Sequence, residues 1–193
     1  MRINQIFYSL QGEGFHTGTP AVFVRFAGCN LKCSFCDTFH ETYTILSEEE
    51  IAERTAQFPA ALVVLTGGEP SLQLTYSLVE LLHRKGKFVA VETNGTSPLP
   101  PNVDWITLSP KSHFFESPQA ELVLTKADEL KIVFTGQNVP EFPNLKVSHQ
   151  FIQPCDFGDP SQNHQIIQLA IQFCKDHPQW RLSLQTHKIL GIE

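Results

Sequence analysis

No apolar run in this chain approaches the roughly 20 residues that a membrane span requires. Nor is there an internal repeat, a low-complexity tract or a linker, so one domain spanning residues 1–193 is expected. The opening segment, Met1 to Phe7, lacks the charged start and long apolar stretch of a secretory leader, and a cytoplasmic location is the corresponding expectation. Cysteine is scarce: five residues, an odd number in a chain of 193, do not make a disulfide scaffold. Basic residues are also few, 14 against 20 acidic ones, and scattered. The net charge of −6 speaks against a broad nucleic-acid footprint and favours small substrates as partners. What is present is ordinary globular material, 41% hydrophobic and 18% charged. A single domain of this length buries about 70% of its unfolded surface, so no metal or disulfide is needed merely to hold it together.

Short apolar runs rich in β-branched and aromatic residues alternate with helical patterns, which predicts an α/β fold of parallel strands joined by crossover helices. Strands are expected at Ala21–Phe26, Leu62–Leu65, Phe88–Val91, Trp105–Leu108, Leu130–Phe134, Gln150–Ile152 and Arg181–Leu184. Ser47 and Glu50 form a capping-box pair with Leu46 and Ile51 as a hydrophobic staple, so a helix should run from Ser47 to about Phe58. Ser71 is placed to cap a second helix reaching about Arg84, with Leu74, Leu78 and Leu81 or Leu82 on one face and Gly86 as its stop. A third is expected from about Asn163 to Asp176, its apolar face formed by Ile167, Ile171 and Cys174, which makes Cys174 a core residue. Between Thr135 and Val147 the chain is too rich in helix breakers, so one crossover is reduced to a loop. The architecture predicted is a shortened, incomplete (β/α) barrel with ligands at the strand C-terminal ends.

The most informative cluster sits in the loop after the first predicted strand. Three residues separate Cys29 from Cys33 and two separate Cys33 from Cys36, with Phe35 just before the last. A [4Fe–4S] cube normally takes four thiolates, so a compact trio leaves one iron open for another ligand. A zinc site with His40 as fourth ligand is the alternative reading of the same residues. Directly after the next strand comes Thr66-Gly67-Gly68-Glu69-Pro70. It reads as a plain strand-to-helix turn, or as a place where a ligand approaches the backbone and Glu69 accepts from an ammonium. The two motifs together resemble the radical S-adenosylmethionine (SAM) enzymes. That resemblance implies a cluster on Cys29, Cys33 and Cys36, SAM chelated on the open iron, Phe35 against its adenine, and a grip on its amino group by Gly68 and Glu69. Three further polar runs end predicted strands on the same rim: Glu92-Thr93-Asn94-Gly95, Ser109-Pro110-Lys111 and Gln153-Pro154-Cys155-Asp156. The turn-forming Asn94-Gly95 and a solvated Lys111 are their bland readings.

Within that superfamily the chain resembles the 7-carboxy-7-deazaguanine synthases over nearly its whole length. Leu10-Gln11-Gly12-Glu13-Gly14, Arg25, Cys36-Asp37-Thr38 and Gln185-Thr186-His187-Lys188 carry the likeness. The resemblance implies ring contraction of 6-carboxy-5,6,7,8-tetrahydropterin to 7-carboxy-7-deazaguanine with release of ammonia, on the route to 7-deazapurines such as queuosine. It implies that Leu10, Gln11, Gly12, Glu13 and Thr66 bind the pterin, that Arg25 holds its carboxylate, and that His187 and the final carboxylate, here that of Glu193, lie near it. Thr38 would bind Mg2+, and Asn94, Ser109, Pro110, Lys111, Gln153, Pro154, Cys155 and Asp156 would contact SAM. An electron donor such as flavodoxin or ferredoxin and a homodimer are implied as partners. The physics of Arg25 agrees, since a guanidinium inside an apolar strand calls for an anion, either a ligand or an internal Asp or Glu. The rival functions are a glycyl-radical activating enzyme, which acts on a protein backbone, and a non-catalytic iron–sulfur or zinc protein.

Overall fold

The computed structural model describes residues 1–115 and 118–193. Two strands open the chain, Arg2–Leu10 (β1) and Pro20–Phe26 (β2), paired antiparallel with Tyr8 opposite Val22. A two-residue strand, Thr44–Ile45 (β3), adds antiparallel to β1. From β2 onward the sheet is parallel, through Leu62–Gly67 (β4), Phe88–Thr93 (β5), Trp105–Leu108 (β6), Lys126–Phe134 (β7), Lys146–Pro154 (β8) and Trp180–Leu182 (β9). The order is β3-β1-β2-β4-β5-β6-β7-β8-β9, an open sheet and hence an incomplete barrel, as predicted. β1 and β3 were not foreseen, and β7 and β8 are longer than their apolar cores suggest.

Glu48–Ala56 (α1) starts where the capping box places it: Ser47 Oγ accepts from Glu50 N–H, and Glu50 accepts from Ser47 N–H. The second helix, Tyr76–Arg84 (α2), begins later than expected. Ser71 does not cap it. The Glu69 side chain instead accepts from Ser71 N–H and caps a single 3-10 turn over Pro70–Leu72, and the helix waits for Thr75, whose hydroxyl accepts from Leu78 N–H. Leu74, Leu78 and Leu82 are buried, as the periodicity predicts, and Leu81 is partly so. The third helix, Pro160–Asp176 (α3), starts three residues before the expected position and is capped by Asp159. Its buried face is Ile166 and Ala170, so Ile171 is 36% exposed and Cys174 is half-buried at the margin of the core. Thr186–Leu190 (α4) follows β9.

The crossover after β7 is a loop, as expected, but it is not the only thinned one. The connection from β5 to β6 holds no helix either, because Pro98, Pro100 and Pro101 remove donors and block helical backbone. From β6 to β7 the described residues hold only 3-10 turns, Ser112–Phe114 and Pro118–Ala120.

Alternation along the strands separates two environments. On the outer face Val22, Val24, Phe26, Val63, Leu65, Val89 and Val91 pack under α1 and α2, and Leu130, Ile132, Phe134 and Ile152 pack under α3. Each fully buried aliphatic side chain contributes about 1.5–3 kcal/mol, so Leu78→Ala at the centre of the first core should cost about 2–5 kcal/mol. The inner face is apolar only near the strand starts, where Phe7, Ala21, Phe23, Leu62, Val64 and Ala90 cluster. Further along the same inward positions carry Arg25, Thr66, Glu92, Thr107, Glu129, Lys131 and Gln153. Polar groups concentrated at the strand C-terminal ends mark where a ligand belongs.

Candidate active site

The loop leaving β2 carries Cys29, Cys33 and Cys36, all free thiols that line one cavity of about 240 Å3. Leu31 N–H donates to Cys29 Sγ (3.4 Å) and Cys36 N–H to the Cys33 carbonyl (3.1 Å). The Asn94 amide donates to Asn30 Oδ1 (3.0 Å), and the Asn30 amide to Thr96 Oγ1 (2.9 Å), which ties the loop to the end of β5. Burial pushes the Cys29 and Cys33 thiols up, while the nearby Lys111 ammonium opposes the rise. Among the described residues no three His, Cys, Asp or Glu side chains converge as a single-ion site would require. Three free thiols around one cavity with no fourth protein ligand fit a cube held at three separate irons.

Gly67 and Gly68 let β4 end against this loop. A Cβ on Gly68 would lie 2.1 Å from the Gly28 carbonyl oxygen, and one on Gly67, at φ +113°, 2.4 Å from that of Phe26. Gly68 N–H donates to Phe26 O and Glu69 N–H to Gly28 O, both at 2.9 Å. The Glu69 carboxylate is 1% exposed and accepts from Ser71 N–H, Thr93 Oγ1 and Asn94 N–H. A carboxylate has about four acceptor sites, so one remains for a further donor. Phe35 packs on Phe114 with ring centroids 4.6 Å apart and lines the same cavity. So do Asn94, Ser109, Lys111, Gln153, Pro154, Cys155 and Asp156. Pro110 is buried but lines neither this cavity nor its neighbour. Burial pushes Lys111 down to about 8, and its ammonium donates to the carbonyl and hydroxyl of Ser109 (2.8 and 2.5 Å).

A second cavity, about 360 Å3, adjoins the first and shares Glu13, Asp37, Thr38, Thr66, Glu92 and Gln185 with it. Its own lining includes Leu10, Gln11, Gly12, Arg25, His187 and Glu193. Every residue assigned to the pterin from the sequence thus faces one space, and Thr38 stands where the two spaces meet. The Arg25 guanidinium lies over the Phe7 ring, 5.4 Å from its centroid, and its Nε is buried without a hydrogen-bond partner. Among the described residues no Asp or Glu forms an ion pair with Arg25. The internal counterion reading therefore finds no partner there.

The open edge of the barrel is bridged by the residues after β9. Gly12 O accepts from Thr186 N–H (3.0 Å) and from its hydroxyl (2.9 Å). The Gln185 amide donates to Glu13 (2.9 Å) and Asp37 (3.0 Å), and the Lys188 ammonium to Asp37 (2.8 Å) and Asp156 (2.9 Å). Glu193 accepts from the Gln5 amide (2.8 Å) and, at its main-chain oxygen, from the Ser9 hydroxyl (2.6 Å). These bonds bring α4 and the residues beyond it into the lining of the second cavity, to which His187, Lys188, Ile192 and Glu193 belong.

Sequence reasoning named Gln11, Glu13, Thr66 and Glu92 but missed Lys131 and Glu129, which complete a polar cluster with them. Thr66 donates to Glu92 (2.6 Å), Gln11 donates to the other Glu92 oxygen (3.1 Å), and Lys131 binds Glu13 directly while lying 3.8 Å from Glu92. Glu129 accepts from Phe15 N–H (3.0 Å), and burial raises its carboxyl against the pull of Lys131. The available signal was the alternation Glu129-Leu130-Lys131-Ile132, in which charges interrupt an apolar strand at every second position.

Residues 23–114 match the family model described as the Radical SAM superfamily. The chain is 50% identical to the 7-carboxy-7-deazaguanine synthase of Bacteroides thetaiotaomicron, over 99% of this chain and 98% of that protein. To the 7-carboxy-7-deazaguanine synthase of Bordetella pertussis it is 43% identical, over 98% of each. Among solved structures it is similar to one titled "Crystal structure of QueE from Escherichia coli", with a TM-score of 0.73 and 28% identity, covering 95% of this chain and 92% of that one. A likeness of this depth across nearly the full length of both chains decides the family: the chain belongs to the 7-carboxy-7-deazaguanine synthases of the radical SAM superfamily.

Proposed function

We propose that this enzyme contracts the ring of 6-carboxy-5,6,7,8-tetrahydropterin to 7-carboxy-7-deazaguanine, releasing ammonia, as a step towards queuosine and related 7-deazapurines. The observation that carries the reading is the pair of adjoining cavities, one lined by three thiols and the other by an arginine with no ion-pair partner among the described residues. Cys29, Cys33 and Cys36 would hold the [4Fe–4S] cluster, whose chemistry when bound is the one-electron reductive cleavage of SAM to a 5′-deoxyadenosyl radical. Gly68, Glu69, Asn94, Ser109, Lys111 and Gln153 to Asp156 would orient SAM, with Phe35 on its adenine and Pro110 shaping the turn behind Lys111. In the second cavity Arg25 would take the pterin carboxylate through two parallel hydrogen bonds. Leu10, Gln11, Gly12, Glu13, Thr66, His187 and Glu193 would surround the rings. α4 and the residues after it would cover part of the second cavity, to whose lining His187, Lys188, Ile192 and Glu193 belong.

The Thr38 hydroxyl, at the junction of the cavities, would bind Mg2+ together with substrate oxygens, since this ion commonly keeps few protein ligands. A flavodoxin- or ferredoxin-type donor would supply the electron in the cytoplasm, and the working form would be a homodimer. No helix among the described residues is long and apolar enough to cross a membrane.

The test is an anaerobic assay of reconstituted protein with SAM, reductant, Mg2+ and 6-carboxytetrahydropterin, following 5′-deoxyadenosine and 7-carboxy-7-deazaguanine by mass spectrometry. Both products are expected. Formation of 5′-deoxyadenosine alone would leave the radical chemistry and remove the substrate.

A further inference from the structure

Lys131 sits on the inner face of β7 with 7% of its side chain exposed. Lysine is almost never buried so deeply unless paired. Carboxylates from three elements surround it: Glu13, from the loop after β1, hydrogen-bonds to it directly; Glu92 of β5 lies 3.8 Å away; and Glu129 of β7 adds its charge from two residues along the same strand. Lys111, in the loop after β6, adds a repulsion, and the Asp37 carboxylate of the cluster loop repels that of Glu13. The attraction outweighs burial and raises Lys131 above its ordinary range. Burial alone would raise the Glu13 carboxyl, but the same ion pair brings it down to about 2.

Glu13 and Glu92 are also aimed by neutral donors. Gln185 donates to Glu13 (2.9 Å), and Thr66 and Gln11 take one oxygen each of Glu92. Both carboxylates line the cavity that holds Arg25, and each keeps acceptor capacity beyond these bonds. Without a cation between them, neighbouring buried carboxylates raise one another's pKa until one takes a proton. A protonated carboxyl offers an O–H where an acceptor is needed.

We propose that Lys131 is a positioning residue that holds Glu13 and Glu92 as a paired acceptor for the N–H-rich edge of a 2-amino-4-oxopyrimidine ring, in the cavity that also holds the arginine assigned to the ring's carboxylate. The inference rests on the pterin reading above and deepens it. It makes Lys131 a determinant of which heterocycle binds, although another residue's carboxylate touches the ligand. A ring with a 2-oxo group in place of the amino group would point an acceptor at a carboxylate and be rejected.

The experiment is anaerobic calorimetry of 6-carboxytetrahydropterin binding to cluster-loaded protein with SAM and no reductant, from pH 6.5 to 8.5. Glu13 titrates far below this range and adds no slope to wild-type affinity; Lys111, pushed down to about 8, titrates inside it, so each variant is read as its ratio to wild type at the same pH, one pKa unit corresponding to a tenfold change. Lys131→Met should weaken binding at least about tenfold at pH 6.5, with a loss that shrinks by up to about tenfold per pH unit as the carboxyl ionises. Lys131→Arg should keep the wild-type profile. Glu13→Gln should lose affinity equally at every pH, because an amide does not titrate. No loss in Lys131→Met, or a loss equal at both ends of the range, overturns the role. Should that variant fail to load its cluster, Glu13→Gln decides, and unchanged affinity or a pH-dependent loss there overturns it. If wild-type protein binds no pterin at any pH, the pterin reading itself falls.

Discussion

The cofactor side and the substrate side of this site are built in different ways. Around the three thiols the lining comes from short local segments, drawn from within Cys29 to Cys36, Thr66 to Glu69, Ser109 to Lys111 and Gln153 to Asp156, each near the end of a parallel strand. Around Arg25 the lining is gathered from afar: Gly12 is bonded to Thr186, Gln5 and Ser9 to Glu193, and Glu13 to Lys131 and Gln185. The first side needs only strand ends and short turns. The second exists only when the sheet has curled and the residues after β9 have crossed its open edge back to β1. The radical-generating half should therefore tolerate damage to the substrate half, while damage at the shared polar cluster should reach both.

Substitutions confined to one side test this separation. The largest effect is expected for Cys29→Ala, Cys33→Ala or Cys36→Ala: each should abolish both the reducible cluster signal in electron paramagnetic resonance and 5′-deoxyadenosine formation. Retention of the signal in all three would remove the thiols from the cluster. Arg25→Ala removes a charged, two-bonded partner worth about 1.5–3 kcal/mol, so pterin affinity should fall about 10- to 150-fold while SAM affinity holds. Equal losses for both ligands in titrations would mean that the two cavities are not separable.

Gly12→Ala is a subtler break at the substrate side. A Cβ there would lie 2.2 Å from His187 Nδ1 and 2.9 Å from His187 Cβ, so α4 must shift rather than a side-chain tip alone. Overpacking of this kind costs about 1–3 kcal/mol, and the pterin KM should rise at least about fivefold with the cluster spectrum unchanged. The smallest effect is expected for Lys188→Ala. Its bonds to Asp37 and Asp156 are partly exposed, and such pairs are worth less than about 1 kcal/mol each, so the KM should rise about two- to fivefold, less at high salt. A loss of 5′-deoxyadenosine formation in this variant would contradict the division.

The same contrast explains what could be read from the residues. The thiol loop, the glycine pair after β4 and the capping box of α1 are local patterns, and the structure has them where the sequence places them. The Ser71 cap failed because Glu69, needed at the strand end, takes Ser71 N–H for itself and defers the helix to Thr75. β1 escaped notice because a bulge between Ile3 and Gln5 breaks its two-residue alternation, sending Ile3 to the outer core and Phe7 to the inner one. α4 is five residues long and carries no buried face, so no periodicity announces it. Lys131 and Glu92 were visible as charges in apolar strands. Their meeting depends on the sheet's curvature, which no window of sequence contains.

The most direct test of the account is label transfer: 6-carboxytetrahydropterin deuterated at its carbon-bound positions, turned over anaerobically, with the 5′-deoxyadenosine analysed by mass spectrometry. Cavities that meet at Thr66, Glu92 and Thr38 predict deuterium in 5′-deoxyadenosine together with formation of 7-carboxy-7-deazaguanine. 5′-Deoxyadenosine without deuterium, formed at the same rate whether or not the pterin is present, would contradict it.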